Sequence, residues 1–201
     1  MLKVGLTGGL ASGKSFVGRA LADLGCHLIQ ADEIGHEVLS PGGAAYDGVV
    51  REFGKDILTP DGGIDRRRLA SEVFGKPERL VALNRLVHPL VVRREEELLD
   101  HYSSIDPNGI VIVEAAILIE TGSYKRFDRL ILVVCDERQQ IERAMKRDQV
   151  TEDEVRARLS RQMPLAEKRK FANYVINTSG SRQNTLAEVR TVYDSLRSIT
   201  S

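Results

Sequence analysis

Gly8-Gly9-Leu10-Ala11-Ser12-Gly13-Lys14-Ser15 matches the pattern G-x-x-x-x-G-K-[ST], and its surroundings decide the fold. The preceding Leu2-Lys3-Val4-Gly5-Leu6-Thr7 reads as a short strand. The following stretch, Phe16 to Leu24, carries Val17, Ala20, Leu21 and Leu24 at helical spacing. Strand, glycine-rich turn and helix together define a phosphate-binding loop. Gly8, Gly9 and Gly13 let successive backbone N–H groups and the next helix's N-terminus point at an anion. Lys14 supplies a cation for the β- and γ-phosphates, and the Ser15 hydroxyl is a candidate Mg²⁺ ligand. Leu10, Ala11, Ser12 and Phe16 complete the candidate nucleotide-binding segment.

The rest of the chain reads as alternating strands and helices, hence an α/β fold with a parallel sheet of about five strands. Candidate strands are Cys26–Gln30, Ile110–Glu114, Leu130–Val134 and Tyr174–Asn177, the middle two β-branched and continuous as in strands buried on both faces. Asp32 follows the second strand. Ligands of open α/β sheets bind beyond the strands' carboxyl ends, so Asp32 is a candidate general base or indirect Mg²⁺ ligand; it is equally placed to cap a helix from Glu33 to Leu39. Asn177 and Gly180 follow the last strand and are candidates on the nucleotide side.

Residues 33–104 read as a helical insertion. Asp65 is placed to cap a helix with Leu69, Val73 and Phe74 inward, and Arg66, Arg67 and Arg68 crowd its first turn against the helix dipole. Those cations suit an anionic partner or a solvated face. The stripe Leu80, Leu83, Leu86, Val87 and Leu90 marks a further helix that Pro89 is expected to bend or break beside His88. His88 reads as a structural residue or a ligand contact. Residues 138–164 carry a second basic cluster: Arg143 and Arg147 share a face, Thr151 and Glu154 form a capping box, and Arg158, Arg161 and Gln162 share the next face. Beside a phosphate loop, this hairpin is expected to be a lid over phosphates, the alternative being a solvated hairpin laced with ion pairs. Leu186, Val189, Tyr193 and Leu196 are expected inside the last helix.

Lys plus Arg and Asp plus Glu number 29 each in 201 residues, and aromatic residues are 5% with no Trp, which argues against a nucleic-acid surface. No run reaches the roughly 18 apolar residues of a membrane span. Two cysteines, Cys26 and Cys135, fit a reduced, cytoplasmic protein. No obligate protein partner is evident.

A guanine-reading Asn-Lys-x-Asp segment is absent, and the arginine-rich hairpin favours transfer to a small molecule from which water is excluded. The motifs Leu6-Thr7-Gly8-Gly9 through Ser15, Ala31-Asp32, Asp65-Arg66, Leu83-Asn84, His88-Pro89, Leu118 with Glu120, Arg147-Asp148, Arg161-Gln162 and Val175-Ile176 with Asn177 and Gly180 run in order over nearly the whole chain. Together they resemble the dephospho-coenzyme A kinase family of phosphate-loop kinases. The resemblance implies ATP and Mg²⁺, transfer to the ribose 3′-hydroxyl of dephospho-coenzyme A, and a core of residues 1–32, 105–137 and 165–201. It implies acceptor binding by 33–104 and a lid over 138–164. Lys14, Asp32, Arg143 and Arg147 would be catalytic, with Arg66, His88, Glu120, Arg161 and Asp32 on the acceptor side. The sequence departs from the family pattern at Gln30 and Asn173, each where an Asp is frequent, and at Ala116, where a Pro is usual. Another small-molecule or nucleoside monophosphate kinase, or a nucleotide-sensing module, are the alternative readings.

Overall fold

In a computed structural model, which describes residues 1–200, five parallel strands form one sheet. They are β1 (Leu2–Gly8), β2 (His27–Gln30), β3 (Ile110–Glu114), β4 (Arg129–Val134) and β5 (Tyr174–Asn177), in the order β2-β3-β1-β4-β5. Every residue of β3 is buried, which explains its unbroken apolar run up to the terminal carboxylate. The register sets Leu6 opposite Glu114 and Gly8 opposite Val133, so β3 and β4 end within two residues of the end of β1. β1 is the central strand. Its exit loop therefore lies where the chain path divides towards the two sides of the sheet, the place where open α/β sheets bind ligands.

Helices α1 (Lys14–Asp23) and α9 (Arg182–Thr200) cover one face. Val17, Ala20 and Leu21 meet Val189, Val192 and Leu196 over Val4, Leu6, Ile112, Ile131 and Ile176 in one buried cluster. Leu186 is 46% exposed, against the inward placement its spacing predicts, because the helix meets the sheet through Val189, Val192 and Leu196. In the same unit α6 (Glu137–Asp148) and α7 (Glu152–Leu159) form a hairpin, followed by the single turn α8 (Leu165–Lys168). The Thr151 capping box that opens α7 is formed in both directions. Its hydrogen bonds hold the Glu154 carboxyl below the ordinary range.

The chain divides into two compact units, Met1–Gln30 with the chain from His101 onward, and Ala31–Asp100. The second unit contains α2 (Ala31–Leu39), α3 (Tyr46–Phe53), α4 (Arg66–Val73) and most of α5 (Pro77–Ile105). Three expectations change here. β2 runs directly into α2, so Asp32 lies in the first turn of α2 and is not its cap. α5 continues through Pro89 without a break. Arg85, His88 and Pro89 are all exposed, so water can serve the carbonyl that the proline leaves without a donor. Phe74 and Leu80 are exposed, at 62% and 45%, because α4 ends at Val73 and Leu80 faces out from the first turn of α5. Asp65 does cap α4, accepting from the backbone N–H groups of Arg67 and Arg68.

Candidate active site

The loop after β1 is shaped by its own backbone and by side chains far along the sequence. Gly13 takes φ +89°, a conformation that an L side chain adopts only under strain, and from there α1 begins at Lys14. Lys14 Nζ donates to Gly8 O at 3.5 Å and Gly9 O at 3.3 Å. These bonds are long, so an arriving phosphate offers the ammonium a stronger partner. Thr178 Oγ1, just beyond β5, donates to Ser12 O at 2.7 Å and receives Arg143 Nη1 at 3.1 Å.

Residues 11–16 line a cavity of about 270 Å³ together with Arg19, Arg143 and Arg147. An adjoining cavity of about 370 Å³ is lined by Gly13, Phe16, Arg19, Arg143, Thr178, Gly180, Arg182 and Thr185. The first has the cations for a phosphate chain; the second, between α1 and the loop that opens α9, has room for a nucleoside. Arg143 is held at its place in the wall: Nη2 donates to Thr178 O at 2.8 Å and to Gln139 Oε1 at 3.1 Å, and Nη1 lies 3.2 Å from Cys135 Sγ. Arg147 is exposed and pairs with Asp148, which also receives Arg158. The Arg147 hydrogen bonds, with the charges of Arg147 and Arg158, hold the Asp148 carboxyl below its ordinary value.

The carboxylate that meets the loop is Glu114, which the sequence marks only as the end of a strand. Glu114 is 6% exposed, accepts from Ser15 Oγ at 2.7 Å, and takes Gln30 Nε2 on its other oxygen at 3.0 Å. Its position at the end of the strand next to β1 was the signal available. Among the described residues no group of three or more His, Cys, Asp or Glu is arranged to cage a metal. A hydroxyl and one carboxylate suit Mg²⁺ nonetheless, since that ion keeps several waters and takes its remaining oxygens from phosphates.

The other sequence candidates are distributed differently. Asp32, Arg66 and His88 all lie in the second unit, exposed and without a side-chain hydrogen bond or ion pair among the described residues. Arg68, by contrast, is committed to the fold through Asp65 and the carbonyls of Asp56 and Leu58. Asn177 lines neither cavity; its Oδ1 accepts from Ser179 N at 2.9 Å and so shapes the turn that leads to Gly180. Glu120 Oε1 accepts from Lys168 Nζ at 2.7 Å and from Met163 N at 3.3 Å. Lys168 is fully buried and went unremarked in the sequence, where nothing separates it from its neighbouring exposed cations. Arg161 is exposed at the end of the α6–α7 hairpin.

The sequence model of the family described as dephospho-CoA kinase matches residues 2–184. The chain belongs to the dephospho-CoA kinase family. It is 41% identical over 191 residues to the dephospho-CoA kinase of Carboxydothermus hydrogenoformans, covering 94% of this chain and 91% of that one. Among solved structures it is similar to a protein of Thermus thermophilus, with a TM-score of 0.84, 31% identity and 97% of each chain covered. It is also similar to the dephospho-CoA kinase of Campylobacter jejuni, with a TM-score of 0.73, 25% identity, and 99% and 98% of the two chains covered.

The three departures from the family pattern have local accounts. Gln30 donates to the buried Glu114, where an Asp would set a second negative charge beside it. Asn173 Oδ1 accepts from Leu130 N at 2.8 Å, a bond that either Asn or Asp can accept. Ala116 contributes its carbonyl, which accepts from Thr7 Oγ1 at 3.1 Å and Lys168 Nζ at 3.5 Å.

Proposed function

We propose that this protein transfers the γ-phosphoryl group of ATP to the ribose 3′-hydroxyl of dephospho-coenzyme A. The observation that carries the reading is a family match over residues 2–184 joined to a phosphate loop that shares one cavity with Arg143 and Arg147. Lys14 and the loop amides hold the β- and γ-phosphates. Ser15, with Glu114 behind it, would hold Mg²⁺, which would supply charge neutralisation at those phosphates. Gly180 with Asn177 shapes the nucleoside side.

Residues 1–32, 105–137 and 165–201 form the nucleotide core in this reading, 33–104 takes the acceptor, and 138–164 is the lid. Asp32 accepts the proton of the 3′-hydroxyl as that oxygen attacks. Arg66 presents a cation and His88 a ring N–H donor to the acceptor's pyrophosphate, and Glu120 with Arg161 completes the acceptor side. Arg143 and Arg147 stabilise the charge spread over the moving phosphoryl group; by analogy with an arginine finger, losing the decisive one costs about 10³-fold in turnover. Closure of the hairpin keeps water from taking the phosphoryl group. We place the reaction in the cytoplasm, a setting suited to the buried free thiols of Cys26 and Cys135. Incubation with Mg-ATP and dephospho-coenzyme A, followed by detection of coenzyme A, tests the assignment.

A further inference from the structure

Two glutamines, one on α6 and one in the turn just after α7, hold the two peptide groups that flank Leu10 in the phosphate loop. Gln162 Oε1 accepts from Leu10 N at 2.9 Å, and Gln140 Nε2 donates to Leu10 O at 2.9 Å. Gln140 is 3% exposed, so its amide has no water to fall back on. Gly9 makes room for it: a Cβ at that position would stand 2.5 Å from Gln140 Nε2.

The side chains of the same segment are tied to the hairpin independently. Ile141, Ala144 and Val155 form the hairpin's buried cluster, and Leu10 and Ala11 pack against it. Ala11 holds φ +51°, a left-handed conformation that costs free energy for any residue with a Cβ and persists only where its surroundings impose it. The turn that arches over the phosphates is thus also the plug of the hairpin that carries Arg143 and Arg147.

We propose that Gln140 and Gln162 are positioning residues that couple the phosphate loop to the arginine hairpin through the backbone of Leu10. When phosphates settle the loop, the backbone of Leu10 settles, and the two amides pass that order to α6 and to the turn that closes α7. The arginines then stand at the phosphates as a consequence of donor binding. The proposal rests on the kinase reading for its purpose, yet it concerns the donor half alone.

Hydrogen exchange of the full chain, with and without a non-hydrolysable Mg-ATP analogue, reads the coupling without any acceptor. In the wild type, protection rises in residues 8–15 and in 137–159 together. In Gln140→Leu and Gln162→Leu the analogue is expected to bind and protect the loop while 137–159 gains nothing. Turnover should fall roughly 10- to 100-fold with KM for ATP little changed, as for a small misplacement of catalytic groups. Gln162→Glu keeps an acceptor for the Leu10 N–H and should regain the linked protection, whereas Gln140→Glu, which offers no donor to Leu10 O, should not. A purely structural role would lower Tm and speed exchange of 137–159 in both states, leaving the analogue-induced rise intact. That persistence, in either leucine variant, overturns the proposal. Failure of dephospho-coenzyme A as acceptor would leave these protection patterns as they stand.

Discussion

Ser15 Oγ donates a 2.7 Å hydrogen bond to Glu114 Oε1, joining the end of the phosphate loop to the carboxyl end of β3 across 99 residues of sequence. The bond aims the hydroxyl oxygen's lone pairs away from Glu114, towards the cavity the loop encloses, and puts a negative charge directly behind a candidate Mg²⁺ ligand. Glu114→Gln keeps the shape and an acceptor for Ser15, turns an NH₂ towards Gln30, whose own amide can rotate to accept it, and removes the charge. We expect it to fold normally and to need roughly 10- to 100-fold more Mg²⁺ for half-maximal turnover, the range found when groups behind metal ligands are altered. Titration of turnover with Mg²⁺ at fixed ATP checks this, and an unchanged midpoint would remove Glu114 from the cation site.

Asp32 is tested by Asp32→Asn. As the base it contributes to turnover and not to donor affinity, so kcat should drop about 10²-fold or more while ATP binding, measured by calorimetry, stays within a few-fold. A nearly normal rate would leave Asp32 as an acid that merely complements the dipole of α2.

Much of the fold was legible because period and punctuation agree. The apolar runs of β3 and β4 require burial on both faces, the loop motif demands a strand before and a helix after it, and Asp65 and Thr151 announce their helices by chemistry that acts within three residues. What stayed hidden depends on residues brought together from afar. Lys168 and its neighbour Arg169 look alike in sequence, yet one is fully buried and the other exposed, and only the fold supplies Glu120 to the first. Pro89 does not break α5 for a related reason: water can serve the exposed carbonyl that it leaves without a donor, and exposure is not written in the sequence. At the site, loop and arginines were readable, while Glu114, Thr178 and the two glutamines are defined by distances alone.

The Glu120 and Lys168 pair carries a stability prediction. Glu120→Ala leaves a fully buried ammonium with only its 3.5 Å contact to Ala116 O; because the Glu120 side chain is 21% exposed, the loss lies at the low end of the about 3–5 kcal/mol that breaking a buried pair costs. Tm should fall by roughly 10 °C. Replacing both, as Glu120→Leu with Lys168→Met, should recover most of that loss, because no unpaired charge remains. Equal Tm for wild type and Glu120→Ala would mean that the ammonium finds another partner.

Asp148 gives the hairpin a pH signature. Its carboxyl sits below the ordinary Asp value of 3.8 because Arg147 and Arg158 favour the charged form. A depressed value in the folded state means stabilisation that is complete above 3.8 and lost as pH falls through the lowered value. Asp148→Asn should therefore melt earlier than wild type at pH 7, with the gap closing on the acid side of 3.8. Thermal unfolding of both proteins across that range decides it, and a gap independent of pH would contradict the pairing.

The central claim, phosphoryl transfer from ATP to dephospho-coenzyme A, is tested most directly by supplying Mg-ATP with dephospho-coenzyme A, and in parallel with adenosine, gluconate or shikimate, and measuring phosphorylated product by mass spectrometry. Coenzyme A formed in step with ADP, with no product from the other three, is the predicted result. Product from one of the controls alone, or ADP released at a rate indifferent to dephospho-coenzyme A, would contradict the account.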